Sequence, residues 1–299
     1  MTNAPKNATE KAFQQNFVKE LTHYKWNAPD YLDGNKQTVT VQDLVNNWRR
    51  ELNRINTDQL EGVELTDSEF KQVMAKVSLI SNSYEAAKIL AIEESKGKID
   101  GIYRDDNPKI TRKQITLTIF KKAEVRGGDS SYQIAREIQT SNGNRFDIVL
   151  LINGLPLINI EQKRTDKSLD EAFGQFQRYY RDGEYTNNFM AFSQMMVVTT
   201  EIETRYFATP KSADEFNPSF VFHWSDKENK PINNWQHVIK HFLMIPMAHQ
   251  MATNYMILDG TKNKQTLKVM RPYQVYATQN VIENLKKVGV NLSKVVMGI

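Results

Sequence analysis

The sequence predicts an α/β chain of mixed α+β character, with a mixed central sheet flanked by helices and extra helices at the N-terminal end. Three observations lead there. Segments with helical periodicity come first, strand-like segments follow, then one helix and more strands; that order suits a mixed sheet with helices packed against it. Two apolar runs, 146–152 and 157–163, flank the turn-forming Asn153-Gly154-Leu155-Pro156 and read as a buried hairpin. The composition, 40% hydrophobic and 25% charged over 299 residues, is that of a globular protein with a sizeable core.

The elements follow in order. Residues 9–22 place Phe13, Phe17, Val18 and Leu21 on one helical face. Residues 41–52 form a second amphipathic helix. Thr66 and Glu69 make a capping-box pattern that opens a third, through Phe70, Val73 and Val77. The Ala-rich stretch 83–94 predicts a fourth. Strands are expected at 114–120, 132–139, the two hairpin arms, 195–200, 204–208 and 220–223. Ser168-Leu-Asp-Glu171 is another capping-box pattern, opening a helix to Arg181, and 235–243 is expected to be helical. The polar, basic stretch 260–265 has the composition of a linker, and Arg271-Pro272 opens a further helix. The expected organisation is therefore one domain over 1–260, then a linker and the start of a second unit over 261–299.

Composition limits the chemistry. There are no cysteines, which excludes disulfides, thiol nucleophiles and Cys-based zinc or iron–sulfur sites. No apolar run reaches the roughly 18 residues of a membrane span, and the first ten residues carry no apolar signal core. A cytoplasmic location is the simplest expectation. The net charge of +4 is a weak pointer to a polyanion.

The hairpin carries the sharpest chemical signal. Asp147 starts the first run, and Glu161 and Lys163 end the second. Two carboxylates supply oxygen ligands for a hard divalent cation, with the main-chain carbonyl of Gln162 as one more. A lysine orients or deprotonates water, or stabilises developing charge. Together they suit metal-assisted phosphodiester hydrolysis. Glu161 and Lys163 share a strand face because side chains alternate. Asp147 joins them only if it lies opposite Glu161, so the register must centre on Gly154, through an odd loop or an equivalent bulge. A plain two-residue Asn153-Gly154 turn puts Asp147 opposite Ile160 instead, with Glu161 on the other face. Taken alone, the three charges fit an edge-of-sheet salt bridge better than a site, since charged residues at strand ends are common. On the following helix, Gln175 and Tyr179 stand four residues apart and project from one face, where each can bond the Lys163 region or a substrate phosphate.

Asp147…Glu161-x-Lys163 followed by Gln175-x-x-x-Tyr179 resembles the PD-(D/E)XK nuclease superfamily in its RecB-like branch. More narrowly, Phe146-Asp-Ile-Val-Leu-Leu-Ile-Asn-Gly-Leu-Pro-Leu-Ile-Asn-Ile-Glu-Gln-Lys163 is similar to the restriction (R) subunit of type I restriction–modification enzymes. The likeness extends to the N-terminal helix, to residues 195–224 and to Arg271-Pro-Tyr-Gln274, which is like the lead-in to that family's helicase motor. Phe146 stands where the superfamily name has a Pro that is not a ligand. The resemblance implies a nuclease-like mixed sheet in which Asp147 and Glu161 bind Mg2+, Lys163 is the catalytic lysine, and Gln175 and Tyr179 support it. In that family a carboxylate from an early helix sometimes completes the set; Glu10 is the candidate here, and no local pattern singles it out. The substrate implied is double-stranded DNA, and the partners are the methyltransferase and specificity subunits.

Arg145, Arg164, Lys167, Arg178 and Arg181, with Lys121, Lys122 and Arg126, are candidates for phosphate contacts. No Gly-x-x-x-x-Gly-Lys-Ser/Thr motif and no DEAD-like box occurs, so the sequence is expected to be the N-terminal part of an ATP-driven subunit. Tyr273 and Gln274 are candidates for an adenine-binding element in the longer protein. A non-catalytic DNA-binding or docking module and a stand-alone RecB-like repair nuclease are the competing readings. His237 and His241 have metal-ligand spacing, but Val238 replaces the Glu of a zinc-protease motif, and an ordinary amphipathic helix is expected. Gly127-Gly128 reads as a turn, and Trp224 and Trp235 as core or partner-facing residues.

Overall fold

The structure is a computed structural model that describes residues 6–91, 97–120, 130–261 and 265–287. Lys121, Lys122, Arg126, Gly127 and Gly128 lie outside the described residues. The N-terminal part holds helix α1 (Lys6–His23), the short strand β1 (Val39–Thr40), and helices α2 (Val41–Ile55), α3 (Asp67–Val77) and α4 (Ser83–Ala91). The capping box at Thr66 forms as its spacing predicts: the Thr66 hydroxyl accepts from Glu69 N–H, and the Glu69 carboxylate reaches back. Phe13, Phe17, Val18 and Leu21 are all buried. The rings of Phe13 and Phe17 pack against Trp235, 5.6 and 5.9 Å away.

Strands β2 (Lys98–Tyr103) and β3 (Gln114–Thr118) pair in a small sheet of their own. β2 was not legible in the sequence. Gly101 has φ 68°, and the register shifts between Ile99 and Ile102, so the apolar alternation breaks mid-strand.

The main sheet has six strands in the order β1-β4-β5-β6-β7-β8. Its members are β4 (Tyr132–Gln139), β5 (Arg145–Ile152), β6 (Leu155–Gln162), β7 (Met195–Thr199) and β8 (Thr204–Ala208), with helix α5 (Leu169–Arg181) between β6 and β7. Pairing is antiparallel through β4, β5 and β6, parallel from β6 to β7, and antiparallel to β8. Every residue of β6, and all of β5 but Arg145, is buried, so these strands are covered on both faces. That explains why they read as continuous apolar runs. α5 is capped by Ser168, whose hydroxyl accepts from Asp170 N–H at 3.1 Å. The expected reciprocal partner, Glu171, turns instead to Lys167 at 3.1 Å.

The remaining elements are α6 (Trp235–Val238), continued by a π-helical turn over Ile239–Leu243, then α7 (Met247–Met251), β9 (Met256–Asp259), β10 (Thr266–Val269) and α8 (Pro272–Lys287). Two expectations need correction. Residues 220–223 do not form a strand: Pro218–Phe220 is a 3-10 turn, and Phe222 makes only an isolated bridge to Tyr206. The polar stretch read as a linker connects β9 to β10, which pair from Asp259↔Thr266 to Met256↔Val269. Val269, Met270 and Val275 join the main core, and the Tyr206 hydroxyl donates to Met270 O at 3.0 Å. Residues 262–264, in the middle of that stretch, lie outside the described residues.

Candidate active site

The β5–β6 turn is the two-residue Asn153-Gly154 form, with φ of 51° and 77°. Both residues are left-handed, as a type I′ turn requires. The first pairs, Ile152↔Leu155 and Leu151↔Pro156, follow from that turn. The register then shifts: Leu150 pairs with Ile158, Val149 with Asn159 and Ile148 with Ile160. Leu157 is the extra residue of a β-bulge. Beyond it the pairing centres on Gly154, and one step past Ile148↔Ile160 Asp147 meets Glu161. The bulge thus supplies the register that an odd loop would have given.

The side chains converge accordingly. The Gln162 N–H donates to Asp147 Oδ2 at 2.8 Å. Lys163 Nζ lies 2.6 Å from Glu161 Oε1 and 2.8 Å from Gln175 Oε1. The Gln175 amide donates in turn to the Tyr179 hydroxyl, which donates to Arg145 O at 2.7 Å. A continuous chain of hydrogen bonds therefore runs from Glu161 through Lys163, Gln175 and Tyr179 back to the first residue of β5. The Tyr179 ring packs edge-on against Phe146, 5.3 Å between centroids, which fixes its hydroxyl at the strand end.

Burial sets the electrostatics. Asp147 and Glu161 are 9% and 1% exposed. Removal from water, opposed by the Gln162 N–H and the Lys163 charge, pushes Asp147 up to about 6. Burial and then the neighbouring Asp147 charge push Glu161 well above the usual carboxylate range. For Lys163, burial acts downward, but the attraction of Glu161 and Asp147 outweighs it and raises the ammonium. Two carboxylates thus face a single ammonium, and the site lacks positive charge. Among the described residues no group of three or more His, Asp or Glu side chains is arranged to hold a metal. A carboxylate pair matches what Mg2+ takes from a protein, one or two carboxylates with waters and substrate phosphates completing its shell.

Glu10 reaches the site from α1. It lines a cleft of about 280 Å³ together with Asp147, Gln162, Gln14, Glu137 and Arg145. It also lines an adjoining one with Lys163, Arg164, Lys167, Gln175 and Arg178, and its charge acts on Lys163. The carboxylates therefore lie beneath a partly basic rim. Arg178 is exposed, its guanidinium 5.5 Å from the Tyr179 ring. Arg181 is exposed but lines none of these clefts. Neither do Tyr273 and Gln274: Tyr273 is 52% exposed, and the Gln274 side chain caps α8 by accepting from Arg271 N–H. His237 and His241 face a separate groove, their rings 6.5 Å apart. Trp224 is core.

Gln14 and Glu137, both at the cleft, were not singled out by sequence. Gln14 follows Glu10 by one helical turn, a spacing that offered a signal. Glu137 offered none, because its place depends on the long-range register of β4 with β5.

Residues 7–215 match the family model described as type I restriction enzyme R protein N terminus. An endonuclease subunit of a type I restriction enzyme from Staphylococcus aureus is 34% identical over 260 residues, 85% of this chain and 26% of the relative. A Staphylococcus saprophyticus counterpart is 34% identical over 251 residues. The EcoprrI endonuclease subunit of Escherichia coli is 26% identical over 279 residues. The chain spans about a quarter of the length of the staphylococcal relatives it matches. The chain belongs to the type I restriction enzyme R protein N-terminal family.

Proposed function

We propose that this chain is the Mg2+-dependent DNA endonuclease domain of a type I restriction subunit. The observation that carries the reading is the convergence of Asp147, Glu161, Lys163, Gln175 and Tyr179, from three separate elements, into one hydrogen-bonded site. A structural salt bridge at a sheet edge has no use for a second buried carboxylate beside the first, where like charges raise each other's cost.

Asp147 and Glu161 would hold the metal, which when bound supplies Lewis acidity to the phosphate and lowers the pKa of water. Lys163 Nζ, 2.6 Å from Glu161 Oε1 and 2.8 Å from Gln175 Oε1, would orient or deprotonate the attacking water and stabilise charge on the phosphoryl oxygens. Gln175 and Tyr179 fix the ammonium on its line of approach. Water gives up a proton as it attacks phosphorus in line, the P–O3′ bond breaks, and the leaving 3′ oxygen takes a proton from solvent. Arg164, Lys167 and Arg178 at the rim bind flanking phosphates of duplex DNA. In the longer subunit, residues beyond the 260–265 connection lead into an ATP-driven motor. Tyr273 and Gln274 contribute to its nucleotide site, and separate methyltransferase and specificity subunits choose the target.

The test compares the full-length complex with Asp147→Ala, Glu161→Ala and Lys163→Ala. Cutting is expected to vanish while ATP hydrolysis persists. Normal cutting by all three variants would refute the reading.

A further inference from the structure

Glu137 stands in an unusual conformation at the site. Its φ is 54°, a left-handed backbone in the middle of β4. Such conformations are uncommon for residues other than glycine and carry strain, so the surroundings must enforce them. Arg136↔Ile148 and Ile138↔Phe146 flank it in the ladder, so Glu137 lies at the level of Asp147. Gly34 packs so closely that a Cβ there would lie 2.4 Å from Glu137 O. The neighbouring Gly34 N–H donates to Arg136 O at 2.9 Å.

The strain places a carboxylate. Glu137 Oε1 accepts from Gln14 Nε2 at 2.6 Å, and its Oε2 pairs with Arg145 Nε at 3.0 Å. The Glu137 side chain is only 17% exposed. Gln14 Oε1 accepts in turn from Asn35 Nδ2 at 3.1 Å. Glu10 and Gln14 are i and i+4 on α1, so they stand on one helical face. The same carboxylate that holds Gln14 therefore holds the helix face that presents Glu10 to the cleft. β5 is tied in through Arg145, whose carbonyl receives the Tyr179 hydroxyl.

We infer that Glu137 is a positioning residue: through Gln14 it clamps α1 across the Asp147–Glu161 pair and fixes Glu10 at the cleft. It acts through another side chain and is not itself a metal ligand. This rests on the nuclease reading above and deepens it.

Four variants of the full-length subunit test it, with Mn2+ binding followed by titration calorimetry, and Mg2+ dependence of cleavage and thermal unfolding measured beside it. Glu137→Gly removes the carboxylate and relaxes the left-handed backbone, and Gln14→Ala removes the other half of the clamp on a helix that tolerates Ala. Each is expected to weaken Mn2+ binding about 10-fold, as is usual when an outer partner of a metal site is lost. The double variant is expected to be no weaker than either single one. Glu137→Gln keeps an acceptor for Gln14 and is expected to bind Mn2+ within about twofold of wild type, a small change beside the outer-partner loss. Unchanged Mn2+ binding in Glu137→Gly and Gln14→Ala, with only a lowered melting temperature, would overturn the inference. So would a Glu137→Gln variant as impaired as Glu137→Gly, because that marks a ligand. If Asp147→Ala and Glu161→Ala still cut, the nuclease reading itself has failed. If they are dead while Gln14→Ala and Glu137→Gly match wild type, only the positioning role has.

Discussion

Asp147→Asn is expected to abolish cleavage and yet stabilise the metal-free protein at neutral pH. In the folded state Asp147 rises from an ordinary 3.8 to about 6. At about 1.4 kcal/mol per pKa unit, that is on the order of 3 kcal/mol between the two protonation states. The folded protein binds this proton more tightly than the unfolded chain does. The contribution is therefore fully present below about pH 4, falls through the window up to about 6, and is absent above it. Asn carries no charge to lose, and its side-chain oxygen can still accept from the Gln162 N–H, now 2.8 Å from Asp147. It also relieves Glu161, whose own rise is partly caused by the Asp147 charge. Stability with a chelator present is read from urea unfolding by linear extrapolation at about pH 4, 6 and 7.5. Wild type should lose stability against Asp147→Asn across that range, by up to roughly 3 kcal/mol. Added Mg2+ should stabilise wild type and leave the variant nearly unchanged, since only a folded state that binds the ion gains. Parallel pH profiles, or a variant less stable than wild type at the high end, would refute the electrostatic reasoning.

Two further outcomes follow from the same geometry. Tyr179→Phe removes the hydroxyl that joins the Gln175 amide to Arg145 O, two part-buried hydrogen bonds, which is expected to cost about 0.5–1.5 kcal/mol in unfolding experiments. It should lower the single-turnover cutting rate with little change in DNA affinity. Gly154→Ala meets both a φ of 77° and a Cβ position 2.8 Å from Trp48 Cα. It should destabilise by more than about 1 kcal/mol, measurable as a lower urea midpoint.

Much of the scaffold was legible because its signals are local. The Thr66…Glu69 capping box, the face carrying Phe13 and Phe17, and the Asn153-Gly154 turn each involve residues within one helical turn or one hairpin. β2 escaped because Gly101 breaks its alternation, and β10 because a hairpin with a polar connection looks like a linker. At the site, Asp147, Glu161, Lys163, Gln175 and Tyr179 were legible through spacing and resemblance together. Glu10 gained its place only from the packing of α1, and Glu137 only from pairing between β4 and β5. No local pattern encodes either, since the contacts join residues more than a hundred positions apart, as Gln14 and Glu137 are.

The bulge at Leu157 shows how a local preference and a site requirement are reconciled. Asn-Gly strongly favours a two-residue turn, and the first two pairs of the hairpin obey it. Had that register continued, Asp147 would have faced Ile160, and Glu161 would have pointed to the other side of the sheet, since a one-residue slip exchanges the faces. Pro156 stands at the last pair before the shift. One extra residue placed beside it leaves the turn intact and moves every later residue of β6 by one step. The two carboxylates then meet at the strand end, where α5 and α1 deliver Gln175 and Glu10. The hairpin's turn thus answers to backbone conformation and its far end to electrostatics, with one irregular residue between them.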